Sequence, residues 1–178
     1  MKAAALCLAA VLGLSTAACV TAPPPPAPAA MANTAMGFVQ MATVSNAFEI
    51  ETSQLALERA TNPQVRRFAN RMISDHTRAS RQLETVLRRN GMQAPAPSLD
   101  PRHAAMLEKL RATPADAFDA AYMTMQAQAH EEAVALFSGY AANGDDPALR
   151  TFASRTLPTL KAHARMVEQI TGETHSGM

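Results

Sequence analysis

The chain has 178 residues, enough for one domain with a sizeable apolar core. It has no Trp, 2 Tyr and 6 Phe against 11 Met, with 16 basic and 15 acidic residues. Ala, Met, Leu, Gln and Arg favour helix and β-branched residues are few, so the composition points to an all-α protein; the balanced charge gives no drive towards nucleic acid or anionic lipid.

Residues 1–18 read as an export signal: Lys2 supplies a positive start, and Ala3 to Leu14 form an apolar run too short to span a bilayer. Ser15, Thr16, Ala17 and Ala18 then precede Cys19, and small residues before a Cys resemble a bacterial lipoprotein processing site. Thr16 stands where such sites usually carry Leu. Two forms stay open: an outer-membrane lipoprotein facing the periplasm, lipidated at Cys19, with Val20 in place of the Asp that directs inner-membrane retention; or a soluble periplasmic protein cleaved after Ala18 or inside the following run. Cys7 lies in the signal, so the mature domain has no pair for an internal disulfide and packing must hold the fold. Residues 19–32 are rich in Pro and Ala, with four prolines at Pro23 to Pro26, and read as an extended spacer outside the domain.

The punctuation of the domain over residues 33–172 predicts five helices, followed by a tail over 173–178. Asn33 caps a first helix to about Ala60; Asn62-Pro63 starts a second, which stops at Asn90-Gly91. Asp100-Pro101 starts a short third, ending near Ala112. Thr113-Pro114, with Asp116 placed as in a capping box, starts a fourth that ends at Asn143-Gly144. Asp146-Pro147 starts the last, which ends at Gly172 and should kink at Pro158. Apolar residues recur at three, four and seven: Met41, Val44, Phe48 and Leu55 on the first helix, Val65, Phe68, Met72 and Leu83 on the second, Phe118, Tyr122, Met125, Ala129 and Leu136 on the fourth, and Leu149, Phe152, Leu160 and Val167 on the last.

Connection lengths set the topology. Loops of two or three residues make hairpins of the first two and last two long helices. The link over residues 91–114 spans ~58 Å, enough to cross a bundle ~42 Å long. One long crossover, here carrying a short extra helix, is the ferritin-like four-helix arrangement.

In that topology His76, 13 residues past Pro63, and His130, 16 past Pro114, reach one level, together with His163 and with Glu49 and Glu51 of the first helix. His76 and His163 fall on inward stripes; His130 lies on a second stripe with Met123, Val134 and Phe137, which leaves its direction open. Glu51 is in phase with Phe48 and Leu55, and Glu49 is at the stripe's edge. Imidazoles with one carboxylate suit a single Zn, Fe, Cu or Mn ion, with Asp75, Asp119, Tyr122 and Glu131 as outer partners. The alternative is a buried hydrogen-bond network that aligns the helices. A di-iron centre is not expected, because its Glu-x-x-His pattern fails: Ile73, Ala127 and Leu160 occupy the positions three before the histidines. No catalytic residue is assigned. The other methionines at helical spacing read as core, His103 and His175 as exposed, and the arginines of the second helix (Arg66, Arg67, Arg71, Arg78, Arg81, Arg88, Arg89) as a solvated face able to dock a protein partner.

Phe48-Glu49-Ile50-Glu51, Phe68-Ala69, Asp75-His76-Thr77, Phe118-Asp119, Tyr122, His130-Glu131, Leu136-Phe137, Leu157-Pro158-Thr159-Leu160 and His163 together resemble a bacterial family known as domain of unknown function 4142, over about residues 36–171. The resemblance implies a ferritin-like bundle in the cell envelope and no established reaction. Three functional classes follow: a non-enzymatic envelope domain in metal handling or envelope stress, a metal-dependent redox or detoxifying enzyme, and a metal-free interaction module.

Overall fold

The computed structural model describes the backbone of residues 31–176 and the side chains of residues 31–172. The expected signal, the spacer up to Ala30, Cys19 and the side chain of His175 lie outside the described residues. Five α-helices are seen: α1 (Ala35–Arg59), α2 (Pro63–Arg89), α3 (Pro101–Arg111), α4 (Phe118–Asn143) and α5 (Pro147–Ser176). No described helix is long and apolar enough to cross a membrane.

Side-chain caps explain most of the boundaries. The Asn62, Asp100 and Asp146 carboxyl or amide oxygens accept from the backbone N–H of Gln64, His103 and Leu149, each at 2.8 Å. α2 stops as expected: Gly91 takes φ 68°, and the Met92 N–H turns back to donate to the Leu87 carbonyl. Three details differ from the sequence reading. Thr34, not Asn33, caps α1, while the Asn33 carbonyl accepts from Asp145 N at the far hairpin. α4 has no side-chain cap and instead winds out of a 3₁₀ turn over Ala115–Ala117. α5 runs through Pro158 and past Gly172 to Ser176. Pro158 and Ser154, whose carbonyl loses its helical donor, are both exposed, so water can satisfy that oxygen.

The four long helices pack as a square: α1 beside α2, α4 beside α5, α1 beside α4, α2 beside α5. End-to-end contacts fix their directions. At one end Asp119, at the start of α4, accepts from Thr61 N and Asn62 N in the α1–α2 turn. At the other, Asn90 Nδ2 donates to Asp146, and Phe38 stacks on Tyr140 with ring centres 4.0 Å apart. Every adjacent pair is therefore antiparallel and α2 and α4, on a diagonal, run parallel. That is the one-crossover, ferritin-like topology. The crossover lies on the α1–α4 flank. Arg59 pins its end by donating to the Leu110 and Arg111 carbonyls at 3.3 and 2.6 Å, with its guanidinium over the Phe118 ring.

The apolar core comes in two parts. Phe48, Leu55, Val65, Phe68, Met72, Phe118, Tyr122 and Val167 belong to the half at the α1–α2 turn. Phe38, Leu83, Phe137, Tyr140, Leu149 and Leu160 belong to the other. Met41, read as core, is 42% exposed, and His103, read as exposed, is half-buried with its ring edge on Phe48. The burial of His103 follows from α3, which gives α1 a second partner that a single periodic stripe does not reveal.

Asp119 accepts from Thr61 N, Thr61 Oγ1 and Asn62 N at the α1–α2 turn. Replacing it, D119A, is expected to cost about 1–2 kcal/mol, the usual range for a lost cap, read as a lower unfolding midpoint in urea with an unchanged m-value.

Candidate metal centre

A polar layer separates the two halves of the core. Asn46 and Glu49 come from α1, His76 from α2, Gln126 and His130 from α4, and His163 from α5, all at most 4% exposed. Each long helix brings at least one polar group because its inward stripe is broken there: Gln126 and His130 sit between Tyr122 and Phe137, one turn apart.

His130 points fully inward, and the three histidines meet. One ring nitrogen of each lies within 4.8 Å of the others. Their outer nitrogens are occupied. His130 Nδ1 donates to the Gln126 backbone carbonyl at 2.9 Å, which only accepts. His163 Nε2 donates to Asp75 Oδ2 at 2.9 Å. His76 Nδ1 donates to Asn46 Oδ1 at 2.9 Å. These bonds fix the tautomers and leave three bare nitrogens: His130 Nε2, His163 Nδ1 and His76 Nε2, the last buried with no hydrogen-bond partner. His130 Nε2 and His163 Nδ1 face each other at 3.3 Å. Between neutral rings with these tautomers that contact holds no proton. It sets two lone pairs against one another.

Burial works against a proton on His163 and on His76. Burial pushes His163 down to about 4, with Asp75 pulling the other way and His130 and Arg71 adding to the fall. Burial, reinforced by His130 and His163, holds His76 well below the ordinary histidine value. A metal ion resolves the conflict: two nitrogens bound at ~2.0 Å in a tetrahedral or trigonal set stand ~3.3–3.5 Å apart. The observed pair is already at that spacing, and His76 has to close by about 1 Å.

The remaining expected site residues fall in different places. Glu49 is buried in the layer, but its Oε1 lies 3.6 Å from His130 Nδ1, on the outer edge of that ring. It is a charge beside the cluster, not a member of it. Burial raises its pKa, partly offset by His130, Gln126 and His103. Glu51, placed inward by the sequence reading, is only half-buried and about 200° around the helix from Glu49; the stripe of Phe48 and Leu55 misled because Phe48 also serves the crossover. Asp75 does contact the cluster. Asp119 does not: it ties the helix turn at the bundle's end. Glu131 is exposed on the outside of α4. The Tyr122 hydroxyl pairs with Ser53 Oγ at 2.8 Å and touches no histidine; burial raises its pKa, against the pull of Ser53 and helped by Glu49. Sequence reasoning passed over Asn46, Gln126 and Thr52, which accepts from Gln126 Nε2 at 3.2 Å. The available signal was a polar residue interrupting an apolar stripe one turn from a histidine or Glu49.

The chain belongs to the family described as domain of unknown function 4142, whose model matches residues 20–170. No curated protein matches the sequence. Among solved structures it is similar to a DUF305 fragment from Deinococcus radiodurans, with 23% identity over 84% of this chain and 99% of that one, and a TM-score of 0.67. It is similar also to CopM in a Cu(II)-bound form, with 21% identity over 79% of this chain and 97% of that one, TM-score 0.67. An Ag-bound form of CopM gives 20% identity over 79% and 96%, TM-score 0.64. At these identities the likeness is one of fold.

The lowered histidines set a pH dependence. Between the folded value, about 4 for His163, and the unfolded value of 6.5, the unfolded chain binds more protons, so stability present above 6.5 is lost as pH falls through that window. Glu49, raised above 4.5, contributes with the opposite sign in its own window. Urea unfolding of the metal-free protein should show stability falling from pH 6.5 to 5, and a H76Q/H163Q variant, which cannot titrate there, should show a flatter profile.

Proposed function

We propose that the domain holds a single monovalent ion of the copper class, Cu(I) or Ag(I), on His76, His130 and His163, as a metal-handling protein and not an oxidase. The observation that carries this reading is the pair of bare nitrogens 3.3 Å apart in the buried core, with a third bare nitrogen nearby. Three neutral imidazoles suit copper among other borderline ions. They bring no charge to offset the ion, and the cost of burying charge rises as its square, so a monocation costs roughly a quarter as much as a dication. Asp75, bonded to His163 at 2.9 Å, supplies the nearest compensating carboxylate, with Glu49 behind His130. That CopM, a neighbour in fold, has been seen with Cu(I), Cu(II) and Ag supports the choice. A dinuclear oxidase centre is disfavoured because the layer offers one carboxylate, on the wrong edge of His130.

The export-type leader and the Pro/Ala spacer support a place in the envelope, tethered through Cys19 or free in the periplasm. There such a site would buffer or pass on copper. The arginine-rich face of α2 is available to a protein partner.

The test is metal content and melting of the purified protein. About one equivalent of Ag(I) or Cu(I) should bind, and ligand at ~1,000 times its Kd should stabilise the fold by about 4 kcal/mol. H76A/H130A/H163A should take up none. If the wild-type chain takes up no ion and its melting does not respond, the layer is a hydrogen-bond network alone and this reading is abandoned.

A further inference from the structure

The three imidazoles are at most 2% exposed, so an ion needs a way in. Among the side chains around the cluster, Asn46 is 4% exposed, Glu49 1% and Gln126 0%. Asp75 is the one that meets solvent, with 10% of its side chain exposed. It stands at the end of an open groove of about 530 Å³ between α2 and α5, lined further by Arg78, Arg81, Phe152, Arg155 and Thr159. One carboxylate oxygen, Oδ2, holds His163 Nε2 at 2.9 Å and meets Arg71 Nε at 3.3 Å; the other, Oδ1, meets Arg78 Nη2 at 2.7 Å. Arg71 and Arg78 lie one turn either side of Asp75 on α2, and their side chains are 56% and 62% exposed. The carboxylate is thus the one acidic group between groove and cluster among the described residues, and two exposed arginines clamp it in place.

We infer that Asp75 is the port to the site, and that Arg71 and Arg78 form a latch that holds it shut over His163. This rests on the metal reading above. When the guanidiniums swing into solvent, Asp75 is free to leave His163, the ring can turn, and the carboxylate offers an incoming cation its first protein ligand. When they return, Asp75 again bonds His163 Nε2, and the ring presents Nδ1 to the ion. Neither latch contact touches an inner ring nitrogen, and both hold the Asp75–His163 bond that presents Nδ1, so they serve the filled and the empty site alike. Loosening them should change the rates in both directions and leave the affinity alone.

Stopped-flow mixing of the full chain with Ag(I), followed through the emission of its tyrosines, reads the on-rate, and a chase with excess thiol chelator reads the off-rate. In R71Q/R78Q both rates should rise by about tenfold, the effect of releasing two half-exposed ion pairs, with Kd unchanged. R88Q/R89Q removes the same charge from the last turn of α2 and touches neither Asp75 nor the groove, so it should leave both rates alone. A faster on-rate with an unaltered off-rate in R71Q/R78Q means simple relief of charge repulsion and overturns the latch, as does an equal response in R88Q/R89Q or no response in either. A wild-type chain that takes up no Ag(I) overturns the metal reading itself, and the port with it.

Discussion

A layer of polar groups buried across a helical core has to draw its partners largely from itself. That constraint orders the whole site. His130 Nδ1 donates to the Gln126 carbonyl, His163 Nε2 to Asp75 and His76 Nδ1 to Asn46, while Asn46 Nδ2, both Glu49 oxygens, Gln126 Oε1 and His76 Nε2 have no hydrogen-bond partner in the protein. Each outer bond uses up the proton of a neutral ring, so the inner nitrogens are bare as a matter of arithmetic, not of chance orientation. The unpartnered nitrogen of His76 and the two opposed lone pairs are then the cost of the arrangement when empty. An ion turns the same three atoms into ligands.

The architecture explains why one fold can serve such different chemistry. In ferritin-like carboxylate proteins the helices present Glu-x-x-His pairs, and acidic side chains carry the charge of two ions. Here the same four helices present neutral imidazoles and amides, and the acidic groups have moved outwards: Glu49 behind His130, Asp75 behind His163. The carboxylates orient rings and offset charge from the second rank. An ion held this way would be shielded and bound by groups with no acid or base function to spare, an arrangement fitter for keeping or carrying it than for reacting it.

Most of the architecture was legible because the signals were local and physical. Asn62-Pro63, Asp100-Pro101 and Asp146-Pro147 each combine a cap with a residue that strongly favours the first helical turn, and the observed boundaries follow them. The level of the histidines followed from counting residues from those caps. What was not legible was azimuth. α1 and α4 face the bundle centre and the crossover at once, so their apolar residues wrap around the helix and no single stripe gives a direction. For that one reason the sequence puts Glu51 in phase with the stripe and Glu49 at its edge, reads His103 as exposed and gives His130 no direction. Asn46 and Gln126 were missed because a polar residue inside such a helix reads as surface until the second neighbour is known.

The placement of α3 therefore matters beyond the packing it adds. By lying along α1 and α4 it roofs one flank of the bundle, and Phe48, His103 and Arg59 seal the roof. The opposite flank, where α2 meets α5, has no such cover among the described residues, and the long groove, its arginines and Asp75 are all found there. A connection that chemistry does not use thus gives an internally near-symmetric bundle a front and a back. If the layer holds an ion, the uncovered flank is the one by which it would come and go, and an anchor or partner that masked that flank would silence the site without touching a ligand.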